Sequence, residues 1–337
     1  MSAPAGRLRA RVIGVGHLGR HHVRLLAAMP RVDLVAAVDL VGERARAAVE
    51  GTTAEAHEDY RAILGRVDAV TVAVPTSGHL AIVIECLQRG IHVLVEKPMA
   101  SSIAEADAMV AAAESAGVQL AVGHTERFNP AVQAALPLLR HARFIEVHRL
   151  SGFPERSLDI DVIFDVMIHD LDVALAIDGT EVTSVEGVGV PVLTSRIDIA
   201  NARLKFESGC VANITASRIS RDKIRKLRCF QPDMYVSVDY AAQELEAWRL
   251  RRIPGSRPVI EGGPVDVEKD EPLRRELADF VEAILDGRAP TVTGQDGRRA
   301  LTLAARVAEA IGDGHPSPEQ TATADLSLIQ ALSKNVS

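Results

Sequence analysis

The 337-residue sequence has few aromatic residues, no excess of positive charge and no long apolar run. Aromatics make up 3% of the chain, which argues against surfaces that stack nucleic-acid bases. A net charge of −7 argues against binding to duplex nucleic acid through phosphate contacts. No stretch reaches the ~18 uninterrupted apolar residues of a membrane-spanning helix, and the N-terminal residues do not resemble a signal peptide. We therefore predict a cytoplasmic protein with an aliphatic core and no nucleic-acid or membrane partner.

Cysteine is scarce, and the three cysteines do not form a CxxC pair. They are Cys86, Cys210 and Cys229. Because their number is odd, the simplest interpretation is unpaired, buried thiols in a reducing compartment. No cluster of histidine and cysteine strongly supports a metal site. We predict no bound metal.

Short β-branched runs alternate with helical stretches in the first third of the chain. One helical stretch, 101–116, begins at serines that can cap it and stops at Gly117. Strands that alternate with helices predict a parallel sheet with right-handed crossovers, buried on both faces. The predicted fold class is therefore α/β, with a doubly wound parallel sheet in the N-terminal part. The predicted strands are 8–13, 33–38, 67–74, 91–95 and 118–122.

Beyond about residue 125 the pattern changes to a helix followed by successive strand-like segments with short links. This order predicts a C-terminal α+β domain with a mostly antiparallel, open sheet. We predict one domain over 1–125, a second over 126–315 and a polar tail over 316–337. The predicted strands are 182–192, 198–206, 210–219, 224–230, 234–239 and 244–251, and the predicted helices are 158–178, 272–286 and 295–312.

The segment VIGVGHLG places three glycines directly after the first strand and at the start of a helix. This GxGxxG pattern lets the backbone turn tightly and approach a pyrophosphate, which the helix N-terminus then binds. The second strand ends in an aspartate, where a carboxylate accepts hydrogen bonds from a ribose diol and repels a 2′-phosphate. The alternative is a glycine turn of some other α/β protein. We predict a Rossmann domain that binds NAD, with contacts from Gly14, Gly16, His17, Leu18, Gly19 and Asp39.

Two further strands end in residues suited to a ligand crevice. Ligands of a doubly wound sheet bind beyond the carboxyl ends of its strands, and the segment VAVPTSGH places Pro75, Thr76 and His79 there. The next strand runs into Glu96 and Lys97. An ammonium at this position can hydrogen-bond a substrate hydroxyl and stabilise the alkoxide that develops as a hydride leaves. The structural alternative is that the proline only ends a strand and the EKP triplet is a surface strand end. We predict that these five residues contact the cofactor, and that the lysine is also catalytic.

The apolar segment DVIFDVMIHDLDVAL carries Asp161, Asp165, His169 and Asp172 at spacings of 4, 4 and 3. Residues at these spacings share one stripe of a helix. Three interpretations are open: a solvated acidic face, a site for a divalent metal, or a general base. In the third, the imidazole of His169 removes a hydroxyl proton, and its proton affinity is tuned by Asp165.

Three segments together resemble the Gfo/Idh/MocA oxidoreductases. They are VIGVGHLG, the run VAVPTSGHLAIVIECLQRGIHVLVEKPMA, and the catalytic-helix segment DVMIH, and the resemblance covers roughly residues 8–310. Membership implies a Rossmann domain followed by a mostly antiparallel substrate domain whose open sheet often serves oligomerisation. It implies a catalytic lysine at Lys97 and a catalytic pair at Asp165 and His169. It also implies a homodimer or homotetramer formed through the C-terminal sheet.

A narrower resemblance is to the UDP-N-acetylglucosamine 3-dehydrogenases within that family. It is carried by GHTERFNP, RSLDIDVIFDVMIHDLD and SRISRDKIRKLRCF. Such enzymes oxidise the sugar 3-hydroxyl to a ketone with NAD, before an aminotransferase makes the 3-amino sugar of some lipid A. The resemblance therefore implies a sugar nucleotide as substrate. Alternatives are a dehydrogenase of another sugar or inositol, an NAD-dependent glycosidase, and a non-catalytic NAD-binding regulator.

A run of six cations between residues 218 and 228 offers partial physical support for a diphosphate ligand. Arginine binds phosphate oxygens with two parallel hydrogen bonds. The alternative is that cations on an exposed or edge strand discourage aggregation. The predicted substrate-binding residues are Arg127, Asn129, Arg156, Ser157 and Arg218.

Overall fold

The computed structural model describes residues 7–153 and 160–312. Two predicted site residues, Arg156 and Ser157, lie outside these ranges, as does the predicted C-terminal tail. The described chain forms two compact units. Unit 1 contains the described residues up to Pro137 together with Asp266–Thr302, and unit 2 contains the described part of Leu138–Val265 together with 303–312.

Unit 1 is built on a six-stranded sheet in which every pair of neighbouring strands is parallel. The strand order is β3-β2-β1-β4-β5-β6, which confirms the predicted doubly wound α/β fold. The strand β3 was not predicted, because it has only three residues and two of them are polar. The strands are β1 (Leu8–Ile13), β2 (Val32–Val38), β3 (Glu55–His57), β4 (Ala69–Val72), β5 (His92–Glu96) and β6 (Leu120–Gly123).

The register of this sheet aligns the carboxyl ends of its central strands. Ile13 at the end of β1 lies opposite Val38 of β2 and Val72 of β4, and Val72 lies opposite Val95 of β5. The strand order reverses between β1 and β4, and ligands of such sheets bind beyond the strand ends at this point. The loops after β1, β4 and β5 therefore leave the sheet side by side.

Helices flank the strands of unit 1, and helix α4 (Ile103–Ala116) has the capping residues that were predicted at both of its ends. The side chain of Ser102 accepts a hydrogen bond from the amide of Glu105 at 3.2 Å, which caps the helix N-terminus. Gly117 ends the same helix with a φ of +66°, a left-handed conformation that favours glycine. The helices are α1 (Gly19–Ala27), α2 (Gly42–Val49), α3 (His79–Gln88), α4 (Ile103–Ala116), α5 (Pro130–Ala135) and α7 (Pro272–Asp286).

Helix α7 belongs to unit 1, although the sequence-based division placed its residues in the second domain. Leu273, Leu277, Phe280 and Val281 lie on one helical face and join the hydrophobic core formed by β1, β2 and α1. The chain therefore returns to unit 1 after the second sheet, which a single boundary in the sequence does not describe. The predicted boundary near residue 125 stays a prediction.

Unit 2 contains an eight-stranded sheet that is antiparallel except for one pair. The order is β14-β13-β12-β11-β7-β10-β9-β8, with β7 and β10 parallel, and it confirms the predicted mostly antiparallel sheet. Helix α6 (Ile168–Asp178) packs on β10, and helix α8 (Gly294–Gly312) ends among the residues of this unit. The strands are β7 (Phe144–Leu150), β8 (Val182–Val190), β9 (Ile199–Phe206), β10 (Val211–Ser217), β11 (Ile224–Phe230), β12 (Met234–Asp239), β13 (Glu244–Arg251) and β14 (Val259–Val265).

Two strands of this sheet, β7 and β14, were not predicted. In β7 the buried positions are Ile145, Val147 and Arg149, and the inward arginine interrupts the apolar pattern. Strand β14 contains Gly262, Gly263 and Pro264, which are residues of low strand propensity. It lies at the edge of the sheet, where proline and glycine are tolerated.

No helix in the described ranges is long and apolar enough to cross a bilayer. The three cysteines are free and buried, as predicted. Burial raises the pKa of the Cys86 thiol to about 11 and that of the Cys229 thiol to about 12, so both stay protonated at neutral pH.

Candidate active site

The glycine turn after β1 has the shape that a dinucleotide-binding turn needs. Gly14 has a φ of +85°, and a Cβ atom there would lie 2.7 Å from Val74 Cγ1. A Cβ atom on Gly19 would lie 1.8 Å from the carbonyl oxygen of Gly14, so α1 packs on the turn only because this residue is glycine. Around Gly16, by contrast, no heavy atom of the described residues lies within 4 Å of such a Cβ. The first and third glycines therefore close the turn, and the second leaves an open surface for a pyrophosphate.

Helix α1 begins at this turn and presents its N-terminus beside the open surface. Its first turn contains no acidic residue, so the positive end of the helix dipole remains available to an anion. Of the other two predicted contacts in the turn, His17 is exposed and Leu18 is half-buried. The residues present fit the pyrophosphate of NAD.

Asp39 at the end of β2 is held in a defined orientation. Its carboxylate accepts hydrogen bonds from the amide of Val15 at 3.0 Å and from the amide of Val41 at 2.9 Å. It thereby joins the end of β2 to the glycine turn. Leu40, which follows it, is 91% exposed and offers no cation to a 2′-phosphate. The arrangement fits the ribose diol of NAD.

Beyond β4, Pro75 is exposed and Thr76 is half-buried, whereas His79 is buried. The Nε2 atom of His79 lies 2.9 Å from the carbonyl oxygen of Val74, and its Nδ1 atom lies 3.1 Å from that of Pro98. The imidazole thus ties the end of β4 to the turn that follows Lys97. Burial lowers its pKa. The predicted cofactor contact of His79 stays a prediction. The structure adds a second role for this histidine, because its ring supports the turn that follows Lys97.

Lys97 follows β5 and is half-buried, and the preceding Glu96 is buried. One carboxylate oxygen of Glu96 lies 3.0 Å from Nε2 of the buried His22, and the other accepts a hydrogen bond from the Lys97 amide at 3.3 Å. A Cβ atom on Gly123 would lie 2.7 Å from this carboxylate, so a glycine at the end of β6 makes room for it. His22 was not predicted, although the run GRHH after the glycine turn contains it.

His124, at the end of β6, is a second site histidine that the sequence did not single out. Its ring is buried, and burial, followed by the positive charges of Arg127 and Lys97, lowers its pKa to about 3. The imidazole is therefore neutral at physiological pH. Asn129 is also buried, and its side chain caps α5 by accepting the Ala131 amide at 3.1 Å. The predicted substrate contacts of Arg127 and Asn129 stay predictions.

In unit 2, the segment that carries the predicted catalytic pair is not a uniform α-helix. A π turn covers Ile163–Met167, and the amide of Ile168 donates to the carbonyl oxygen of Ile163, five residues earlier. Asp165 lies in this turn and His169 in the first turn of α6, and both are half-buried. Single π turns inside helices are frequent at functional sites.

The acidic residues of this segment do not form a solvated face. Asp161 accepts the amide of Ile197 at 2.9 Å, and Asp172 is buried. Asp170, which was not predicted as a site residue, is also buried. It forms a bidentate ion pair with Arg149, with N–O distances of 2.6 and 2.8 Å. Within residues 7–153 and 160–312, no three histidine, cysteine or acidic side chains are grouped as metal ligands.

The basic segment divides into one buried arginine and a set of exposed cations. Arg218 is 1% exposed and pairs with Asp198 at 2.8 Å. The exposed members are Arg221, Lys223, Arg225, Lys226 and Arg228. Strand β11, which carries the last three, lies between β7 and β12 and is not an edge strand. The prediction that Arg218 contacts substrate stays a prediction.

Comparison with known proteins assigns the chain to a family. Residues 8–124 match the model described as an oxidoreductase family with an NAD-binding Rossmann fold, and residues 141–232 match the GFO/IDH/MocA C-terminal domain. The chain belongs to the Gfo/Idh/MocA oxidoreductase family. This confirms the resemblance inferred from the sequence motifs, and with it an NAD-binding oxidoreductase.

Members of the Gfo/Idh/MocA family align with nearly the whole chain. UDP-N-acetylglucosamine 3-dehydrogenase of Acidithiobacillus ferrooxidans is 39% identical over 311 residues, which cover 90% of this chain and 97% of that protein. Its solved structure matches with a TM-score of 0.85 and covers 90% of this chain and 98% of that one. scyllo-Inositol 2-dehydrogenase (NAD(+)) of Bacillus subtilis is 27% identical over 335 residues, which cover 92% of this chain and 96% of that protein.

Proposed function

We propose that this enzyme oxidises the 3-hydroxyl of UDP-N-acetylglucosamine to a ketone, with NAD as the oxidant. The observation that carries the proposal is the 39% identity, over 90% of the chain, to a UDP-N-acetylglucosamine 3-dehydrogenase. The inositol dehydrogenase of Bacillus subtilis, at 27% identity, supports the same chemistry on a different secondary alcohol. In this proposal the 3-oxo sugar nucleotide is made in the cytoplasm and feeds 3-amino sugar synthesis for lipid A.

The proposed roles of the residues follow from their environments. The glycine turn and Asp39 would hold NAD, and NAD would be the acceptor for the hydride from carbon 3. In unit 2, His169 takes the hydroxyl proton, and the carboxylate of Asp165 orients the ring and balances the charge it gains. In unit 1, the ammonium of Lys97 stabilises the developing alkoxide. The Glu96 carboxylate and the His79 ring support the backbone on either side of this lysine.

The proposal is tested by incubating the enzyme with NAD and UDP-N-acetylglucosamine. We expect NADH to form, detected by its near-ultraviolet absorbance, and a sugar nucleotide with two hydrogens fewer, detected by mass spectrometry. Free N-acetylglucosamine, myo-inositol and NADP serve as matched controls. Turnover of inositol or a free sugar instead would change the substrate and keep the chemistry. Cleavage of a glycosidic bond without net NADH would indicate a glycosidase, and NAD binding without any turnover would indicate a regulator.

A second proposal concerns assembly: copies of this chain associate through the outer face of the unit 2 sheet. Four aromatic residues lie in register across neighbouring strands on this face, namely Phe144, Phe230, Tyr235 and Trp248. The rings of Phe144 and Phe230 lie 5.8 Å apart, and those of Phe230 and Tyr235 lie 5.1 Å apart. Phe230 and Trp248 are each 38% exposed, in a chain with only 3% aromatics. An apolar row of this kind supports a homodimer or homotetramer.

A further inference from the structure

Arg218 differs from the other cations of its segment in where its side chain lies. The exposed members follow it along the chain, whereas Arg218, directly after β10, is 1% exposed. A charged side chain is rarely buried unless it is paired and hydrogen-bonded. The contacts of this guanidinium therefore indicate what it does.

The guanidinium of Arg218 contacts two parts of unit 2, the loop before β9 and the backbone of Ile160. Its Nε atom donates to Asp198 Oδ1 at 2.8 Å, at the start of β9. Its Nη2 atom donates to the hydroxyl of Thr194 at 3.1 Å, and its Nη1 atom donates to the carbonyl oxygen of Ile160 at 2.7 Å. A planar guanidinium can serve three directions at once, whereas an ammonium is a compact point charge.

Asp198 holds the arginine in this position. Its second carboxylate oxygen accepts the amides of Val192, Leu193 and Thr194 at 2.8, 2.7 and 2.9 Å. Burial opposes the charge of Asp198, but these amides and Arg218 together lower its pKa. The carboxylate is therefore ionised and fixed by the loop before β9.

The same loop also holds the residues that precede the π turn. The amide of Ile197 donates to the Asp161 carboxylate at 2.9 Å, and the amide of Val162 donates to the Ile197 carbonyl at 2.9 Å. The carbonyl oxygen of Asp161 in turn accepts the amide of Asp165 at 3.2 Å. These hydrogen bonds, together with the peptide bond between Ile197 and Asp198, connect Arg218 to the backbone of Asp165.

We propose that the buried Arg218–Asp198 ion pair is a positioning device, which fixes residues 160–162 and thereby orients Asp165 and His169. A π turn has less regular hydrogen bonding than an α-helix, so its geometry depends on tertiary contacts of this kind. Because buried ion pairs are weak sources of stability, the geometry that the pair imposes is the better reason for its presence. The inference rests on the proposed function, since it assumes that Asp165 and His169 take part in the reaction.

The test compares Arg218→Lys with Arg251→Lys, the same change at an exposed arginine of β13 that pairs with Glu261. We measure kcat, the KM values for NAD and UDP-N-acetylglucosamine, and hydrogen–deuterium exchange of the peptide over 160–168. In Arg218→Lys we expect kcat to fall about tenfold or more, because small misplacements of catalytic groups have large effects on rate. The KM values should stay within about twofold, and exchange over 160–168 should rise. Arg251→Lys should match the wild type.

Two results would overturn the inference. A rise in KM for the sugar nucleotide with kcat unchanged would make Arg218 a substrate ligand, and wild-type exchange over 160–168 in Arg218→Lys would remove the positioning role. If this variant does not fold, Asp198→Asn keeps one acceptor oxygen for the loop amides, removes the ion pair and carries the same expectations. The exchange measurement needs no substrate. A wild-type enzyme that ignores UDP-N-acetylglucosamine would therefore refute the proposed substrate, while exchange over 160–168 would still decide this inference.

Discussion

The histidines of the chain differ in what surrounds their rings, and this decides which of them can accept a proton during turnover. His124 is buried with a pKa of about 3, so it is a poor base near neutral pH. Both ring nitrogens of His79 face backbone carbonyl oxygens, so neither is available to a substrate hydroxyl. His169 is half-buried and lies one turn after Asp165, which supports the proposal that it is the general base.

We expect His169→Ala to lower kcat about 10²- to 10⁴-fold, the usual contribution of a general base. The dissociation constant for NADH, measured by fluorescence titration, should stay near the wild-type value, because the glycine turn and Asp39 belong to unit 1. His148→Ala is the matched control, since this half-buried histidine lies on β7. Full activity of His169→Ala would refute the assignment of the base.

The depressed pKa of His124 predicts a dependence of stability on pH. The unfolded chain binds a proton at this histidine near pH 6.5, whereas the folded chain does so only near pH 3. Its contribution to stability is therefore full above pH 6.5 and is lost as the pH falls towards 3. Replacement by the neutral His124→Gln should reduce the loss of stability between pH 7 and pH 4.5, measured as urea midpoints. If the acid dependence of stability is the same in His124→Gln and in the wild type, folding does not lower the pKa of His124.

At the scale of one element, substitutions at different glycines of the turn should affect either folding or cofactor binding. Gly16→Ala adds a methyl group to open space, so the variant should unfold at a temperature close to that of the wild type. The same methyl group occupies the surface proposed for the pyrophosphate, and we expect NAD affinity to fall by about tenfold or more, measured by calorimetry. Gly14→Ala is the contrast, because its φ of +85° and the contact with Val74 should destabilise the fold itself. Wild-type affinity in Gly16→Ala would contradict this assignment of the turn.

The elements that the sequence predicted are those in which local pattern and tertiary role agree. The mainly apolar, buried strand β4 and the capped helix α4 are examples. Strand β7 was missed because Arg149 points inward, and its ion pair with Asp170 is a contact that the sequence of the strand does not reveal. The π turn was also missed: one extra residue rotates the apolar pattern by about 100°, and this rotation cannot be recognised where the following helix is buried on most sides.

Much of the candidate site could be predicted for the same reason, since glycines, an acidic strand end and a strand-end lysine are local signals. Residues that act through distant contacts could not. His22 supports Glu96 across 74 positions of sequence, and Arg218 contacts Ile160 across 58. The substrate contact predicted for Arg218 from its run of cations stays a prediction, but the burial of this side chain could not be read from that run.

At the scale of the whole molecule, the outer face of the unit 2 sheet leads to a prediction about mass in solution. The side chain of Trp248 is 38% exposed on this face. If copies associate through the face, a glutamate in place of Trp248 would bury its charge against the aromatic residues of the interface. Interface tryptophans often contribute about 2 kcal/mol or more, which corresponds to a roughly 30-fold weaker association. We expect Trp248→Glu to shift the sedimenting species towards the monomer, while Ala111→Glu, the same charge at an exposed position of α4, leaves it unchanged. An unaltered mass for Trp248→Glu, or a monomeric wild type at micromolar concentration, would place the association elsewhere or remove it.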